Sequence, residues 1–172
     1  MSISFYEASV GTYQQILASV AGVLDKGAAY LVENDIDPQD FVLAKLREDM
    51  MPLHFQVVSV CHHSLGALNG MREGRFAPPS FELDKSYAEL QGMVTEAIDG
   101  VAAISETDAE AFADRSMVFA LGKREMPFTN QNFLMSFSLP NFYFHATTTY
   151  DILRMKGVSL GKMDYLGQMR VG

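Results

Sequence analysis

The segment NFYFHATTTY, Asn141 to Tyr150, sets His145 between an amide four residues before it and a run of threonines after it. An imidazole can ligate a metal or move a proton near neutral pH. At about 100° per residue on a helix, His145 falls at the centre of the inward face. Ser138, Asn141, Thr148 and Thr149 form a polar stripe around it, bordered by apolar residues. Two readings follow. In one, His145 is a core histidine tied by structural hydrogen bonds, since an unpaired buried polar group costs about 1–3 kcal/mol. In the other, it is a ligand or catalytic group in a cavity, because helical bundles build sites from inward side chains on facing helices.

A partner helix is visible upstream. His54, Cys61, Leu65 and Leu68 share one face with Val57 and Val58. Gln56, Ser59, His63, Gly66, Ala67 and Gly70 share the other, a face of small and polar residues that allows close helix approach or a cavity. His62 lies on the boundary, and the spacing does not choose between His62 and His63. Cys61, on the apolar face, reads as a packed thiol rather than a nucleophile. Two histidines do not complete a zinc site, which needs about three or four N, S or O ligands. The helical pair His-x-x-x-His would need a second histidine where Thr149 stands. Water or a carboxylate such as Asp151 or Glu7 would have to supply the rest. The chain has no Gly-x-Ser-x-Gly elbow, phosphate-binding glycine loop, Cys-x-x-Cys or His-Glu-x-x-His.

These residues must be positioned by helices. Apolar positions recur at steps of three and four over about Ser4 to Glu33, Pro52 to Gly70, Leu83 to Ile104 and Asn130 to Lys156. Asn34 closes the first run. Asp37-Pro38 starts a short extra helix through Phe41, Leu43 and Leu46. Thr129 and Gly157 cap the fourth run. Pro140 inside that run removes a backbone hydrogen bond and predicts a bend just before the stripe. The stretch REGRFAPPSFELD reads as a loop. Met117 to Leu121 and Arg124 to Phe128 read as a hairpin around Gly122-Lys123, with Pro127 confining the return strand to an edge.

Composition narrows the function classes. The chain of 172 residues is 48% hydrophobic and 20% charged, which suits one globular domain over residues 1–172. A net charge of -8 disfavours nucleic acid and anionic membrane partners. The opening residues lack a signal-peptide pattern. Leu53 to Met71 carries no charged side chain but is too polar for a membrane span. The single cysteine precludes an internal disulfide and fits a cytoplasmic location.

MSISFYEASV, DMMPLHFQV, the hairpin, and FTNQNFLMSFSLPNFYFHATTTYDILRMKGVSLGKMDYLG together resemble a bacterial family called domain of unknown function 1993, grouped with the DinB-like four-helix bundles. The resemblance spans nearly the whole chain, and its C-terminal block is the most specific part. It implies an all-α, DinB-like four-helix bundle with a long crossover, a short extra helix and a small β-hairpin before the last helix. Relatives use a bundle-centre metal site of three histidines, one from helix two and two from a His-x-x-x-His pair on the last helix. Some are thiol-dependent transferases or isomerases, and dimers are common. By this resemblance His145 matches the first histidine of the pair and His63 the helix-two ligand, while Thr149 replaces the third. A divalent ion such as Zn or Ni at His63 and His145 would therefore be weakly held or absent.

The expected site is thus a central polar cavity for a small molecule or a degenerate divalent metal, with His63 and His145 as ligands. Asn141, Thr148, Thr149 and His62 would line the ligand pocket. The alternative is a non-enzymatic homodimer in which the buried histidine is purely structural and apolar helices one and two form the interface.

Overall fold

The structure, a computed structural model, describes residues 3–79 and 81–171. Met1 and Ser2 of the opening motif, Ser80 of the expected loop, and Gly172 of the expected domain lie outside the described residues.

Helices dominate, and they form where the apolar period is helical. A π-helical turn, Glu7–Gly11, leads into α1, Thr12–Glu33, which ends at Asn34 as expected. The Asp37 side chain accepts the Gln39 N–H and starts α2, Pro38–Val42. Next come α3, Leu53–Cys61, a π-helical turn, His62–Gly66, and α4, Ala67–Glu73. Gly74 ends this run with a left-handed φ of 82°, a conformation that favours glycine. Helix α5, Tyr87–Ala102, begins later than the apolar period suggests, because Ser86 and Glu89 form a capping box. A second capping box, Ser105 with Asp108, opens α6, Glu106–Ala113, which the periodicity did not reveal. The last run consists of α7, Asn130–Phe133, a π-helical turn, Leu134–Ser138, and α8, Leu139–Met155. Thr129 caps it by accepting the Asn132 N–H. A π-helical turn ends just before Pro140, which stands in the first turn of α8 rather than in the middle of a regular helix. A short α9, Lys162–Leu166, packs on α1.

Helix α1 packs on α5 and α8, and α3 packs on the same two helices. Together they enclose one apolar core around Tyr13, Leu17, Leu53, Leu68, Leu90 and Phe142. The stretch Glu7–Glu33 is long and apolar enough to cross a membrane, but its buried apolar side chains are part of this core, as expected of a core helix.

The hairpin of β2, Ser116–Leu121, and β3, Arg124–Thr129, matches the expected one closely. A third strand, β1, Arg75–Phe76, pairs parallel to β2 with Phe76 opposite Phe119. It lies in the stretch read as loop, and two residues are too few to show a period. The fold is therefore mostly helical with a three-stranded sheet, rather than purely α with a hairpin. In the order β1-β2-β3, Pro127 sits on an edge strand, where its missing N–H breaks no ladder. Buried Asn130 anchors the last run: its Nδ2 donates to Met71 O at 2.9 Å and Phe112 O at 2.7 Å, joining the ends of α4 and α6.

Close approach of α1 and α5 depends on Gly27. A methyl group there would collide with the Tyr87 hydroxyl, which donates to Leu24 O at 2.8 Å. Gly27→Ala is therefore expected to lower stability by about 1–3 kcal/mol in urea unfolding, despite the helix-propensity gain. Tyr87→Phe, which loses the hydrogen bond alone, is expected to cost about 1 kcal/mol.

Candidate functional site

Two π-helical turns face each other where α3 meets the last helical run. Such turns recur at functional positions in helices. One holds His63 and the other ends at Ser138. The Ser138 hydroxyl donates to His63 O at 2.8 Å, so its oxygen accepts from the Tyr13 hydroxyl at 2.9 Å. Ser64 bonds back to the end of α3, donating to Val60 O at 2.7 Å and Cys61 O at 3.1 Å. The result is a buried polar seam between α1, the α3–α4 run and the α7–α8 run.

The imidazoles of His63 and His145 lie above this seam with ring centroids 5.9 Å apart and planes 16° from parallel. Only 6% of His63 and 9% of His145 is exposed. Phe76 and Phe137 flank His63, and Phe55 and Phe144 flank His145. His145 Nδ1 meets Gln56 Oε1 at 2.8 Å. The other end of the amide fixes the roles: Gln56 Nε2 donates to Met51 O at 2.8 Å, so its oxygen must face the imidazole. Nδ1 therefore carries the proton, and Nε2 keeps its lone pair. His63 Nδ1 is buried with no hydrogen-bond partner.

Both rings are neutral at pH 7. Burial pushes His63 down to about 3, assisted by His62 and His145, and pushes His145 down to about 4. Neutral rings with free lone pairs can accept a hydrogen bond, take a proton or ligate a cation.

The remaining sequence-derived site residues fall elsewhere or are already satisfied. Thr148 donates to Phe144 O at 2.8 Å, Thr149 to His145 O at 2.9 Å, and Asn141 Nδ2 to Phe137 O at 2.7 Å. These are back-bonds to the preceding helical turn, as short polar side chains in helices commonly make. His62 is drawn away from the pair: its Nε2 donates to Ala77 O at 2.7 Å and its ring stacks on Phe76 at 4.3 Å. His63, not His62, thus faces the last helical run. The helical wheel placed Gln56 on the face of His63, seven residues before it, but gave it no role.

The donor set does not fit a tetrahedral zinc site. Among the described residues no group of three or more His, Cys, Asp or Glu side chains could hold a metal ion. Thr149 spends its proton on its own helix, Gln56 Oε1 is used by His145, and Glu7 pairs with Arg170 at 2.7 Å.

The chain belongs to the family described as domain of unknown function (DUF1993), which matches residues 5–166. It is also similar to a DinB family member protein from Shewanella denitrificans, known from a crystal structure. That match has a TM-score of 0.79 at 24% identity and covers 97% of this chain and 94% of the other. It shows a DinB-like fold. No curated protein matches the sequence significantly.

The neutral pair has a consequence for acid stability. Unfolded histidines protonate near about pH 6.5, whereas the folded pair resists protonation until about 4 and about 3. As the pH falls from about 6.5 to about 4, the unfolded chain binds protons that the native state does not, so stability is lost through that window. In urea unfolding followed against pH, His145→Gln is expected to remove about one proton from this dependence. Gln56→Leu, which strands the Nδ1 proton, is expected to cost about 1–3 kcal/mol at neutral pH.

Proposed function

We propose that His63 and His145 form a small-ligand site at the centre of a DinB-like four-helix bundle. The free Nε2 of His145 would accept an N–H or O–H group of the ligand, and His63 Nδ1 would donate or accept according to its tautomer. The observation that carries this reading is His63 Nδ1, buried and unpartnered beside a ring whose own free nitrogen is left by the Gln56 bond. The hydroxyls of Ser138, Thr148 and Thr149 are satisfied, whereas His63 Nδ1 and, one turn earlier on the same face, Ser59 Oγ are buried without partners; such orphans mark positions for a missing partner. His145, held by Gln56 as a base is held by its orienting group, is also suited to take a proton at Nε2.

A divalent metal is the less favoured occupant, since only the two imidazoles are available as strong ligands. The second reading is a non-enzymatic homodimer. Its support is the self-satisfied threonine stripe together with the exposed Tyr143, Phe144 and Met155 of α8. The apolar residues of α1 and α3 that first suggested an interface are largely buried within the chain. A cytoplasmic location fits the lone thiol of Cys61.

The test uses protein purified without a histidine tag or chelator. Imidazole ¹⁵N spectra would be followed while phenol, Zn²⁺ and Ni²⁺ are added separately. Saturable shifts of His63 and His145 with phenol, lost in the His63→Ala/His145→Ala double variant, are the expected result. Near-stoichiometric Zn or Ni lost in that variant would instead support the metal site. No shift with any probe, together with unchanged stability of His145→Gln, would leave the pair without either role.

A further inference from the structure

A second recess, of about 560 Å³, opens between α3, its π-helical turn and α5. Its floor is apolar, built from Val58, Cys61, Leu65, Met93 and Ala97. The outer wall is formed by Pro78, Pro79 and Lys85. Two imidazoles of the α3 run pin the ends of that wall. His62 Nε2 donates to Ala77 O at 2.7 Å, and His54 Nε2 accepts the Lys85 N–H at 3.0 Å. The recess is therefore preformed, which lowers the ordering cost of binding.

Its polar groups are unequal. Lys85 Nζ is already paired with Asp84 at 3.0 Å. His62 has spent Nε2 on Ala77 O, so Nδ1 is left as an acceptor; it sits over Gly66, where an added methyl would be 3.2 Å away. Glu96, exposed on α5, makes no ion pair among the described residues. Its charge also reaches the Cys61 thiol, which burial pushes up to about 12 with a smaller contribution from Glu96. The recess thus offers an apolar floor, the Asn69 amide, one uncommitted carboxylate and one imidazole lone pair. It presents no uncommitted cation, and the whole chain carries a net charge of -8 that attracts cations.

We propose that this recess binds an amine carried on a short apolar body, with the ammonium at Glu96 and the hydrocarbon on the Leu65–Met93 floor. The site is separate from the His63–His145 pair and does not depend on it.

The test uses the full chain with methionine methyl groups labelled with ¹³C, and n-hexylammonium, hexanoate and hexanol as probes. Hexylammonium is expected to shift the Met93 methyl saturably and to bind more tightly than hexanoate. Glu96→Gln should weaken hexylammonium about threefold, the scale of an exposed ion pair, and leave hexanol unchanged. Glu96→Lys should reverse the preference towards hexanoate, and His145→Gln should change none of this. The proposal is overturned if hexanoate binds the unaltered chain as tightly as hexylammonium. It is equally overturned if Glu96→Lys leaves the preference intact, or if no probe shifts Met93 saturably. Because Glu96 is solvent-exposed, both of its variants keep the core unchanged.

Discussion

The Ser138 hydroxyl is the point on which the centre of the molecule depends. It gives its proton to His63 O and receives one from Tyr13, so one oxygen ties three helical runs together. Each bond contributes only about 1 kcal/mol net, but leaving any member unpaired in the interior costs about 1–3 kcal/mol. The chain of bonds is therefore all or none. Tyr13 is completely buried, which raises its pKa and keeps it a donor. Its ring also meets Phe142 edge-on at 4.9 Å, so the same residue locks α1 against α8 by packing. With Ser138 holding the His63 backbone and Gln56 holding the His145 ring, the two imidazoles face each other by constraint.

The four histidines divide into two pairs by where their ring nitrogens are spent. His54 and His62 use theirs on backbone groups of the segment that follows β1, and so hold a wall against α3. His63 and His145 instead face each other; an uncommitted nitrogen is not theirs alone, since His54 Nδ1 is also buried without a partner and His62 Nδ1 is left over. All four pKa values are lowered, with burial the largest cause in each case. The negative charge of the chain would favour the protonated forms, but desolvation of buried rings outweighs that distant field.

The three-stranded sheet serves the same centre through its aromatic residues. Phe76 of β1 contacts both His62 and His63, and also Phe119 of β2 and Phe133 of α7. Phe137 closes the set by meeting His63, Phe119 and Phe133. A dry aromatic shell of this kind strengthens any hydrogen bond made inside it and keeps the imidazoles neutral.

Local rules determined the helices, the hairpin and the inward direction of His145, because each depends on neighbours a few residues away. The caps at Asp37 and Thr129, the Gly122-Lys123 turn and the apolar period all act at that range. The family resemblance was carried by continuous blocks for the same reason. The boundaries set by capping boxes at Ser86 and Ser105 were also local, but a continuing apolar period masked the first. Tertiary structure alone decided the rest. The choice of His63 over His62 depends on a carbonyl at Ala77 fifteen positions away. The role of Gln56 depends on His145 eighty-nine positions away. The polar stripe looked like a pocket wall because periodicity gives the face of a side chain but not the partner of its proton. Thr148, Thr149 and Asn141 found theirs one turn back, whereas His63 Nδ1 found none, and only packing in three dimensions could separate those two outcomes.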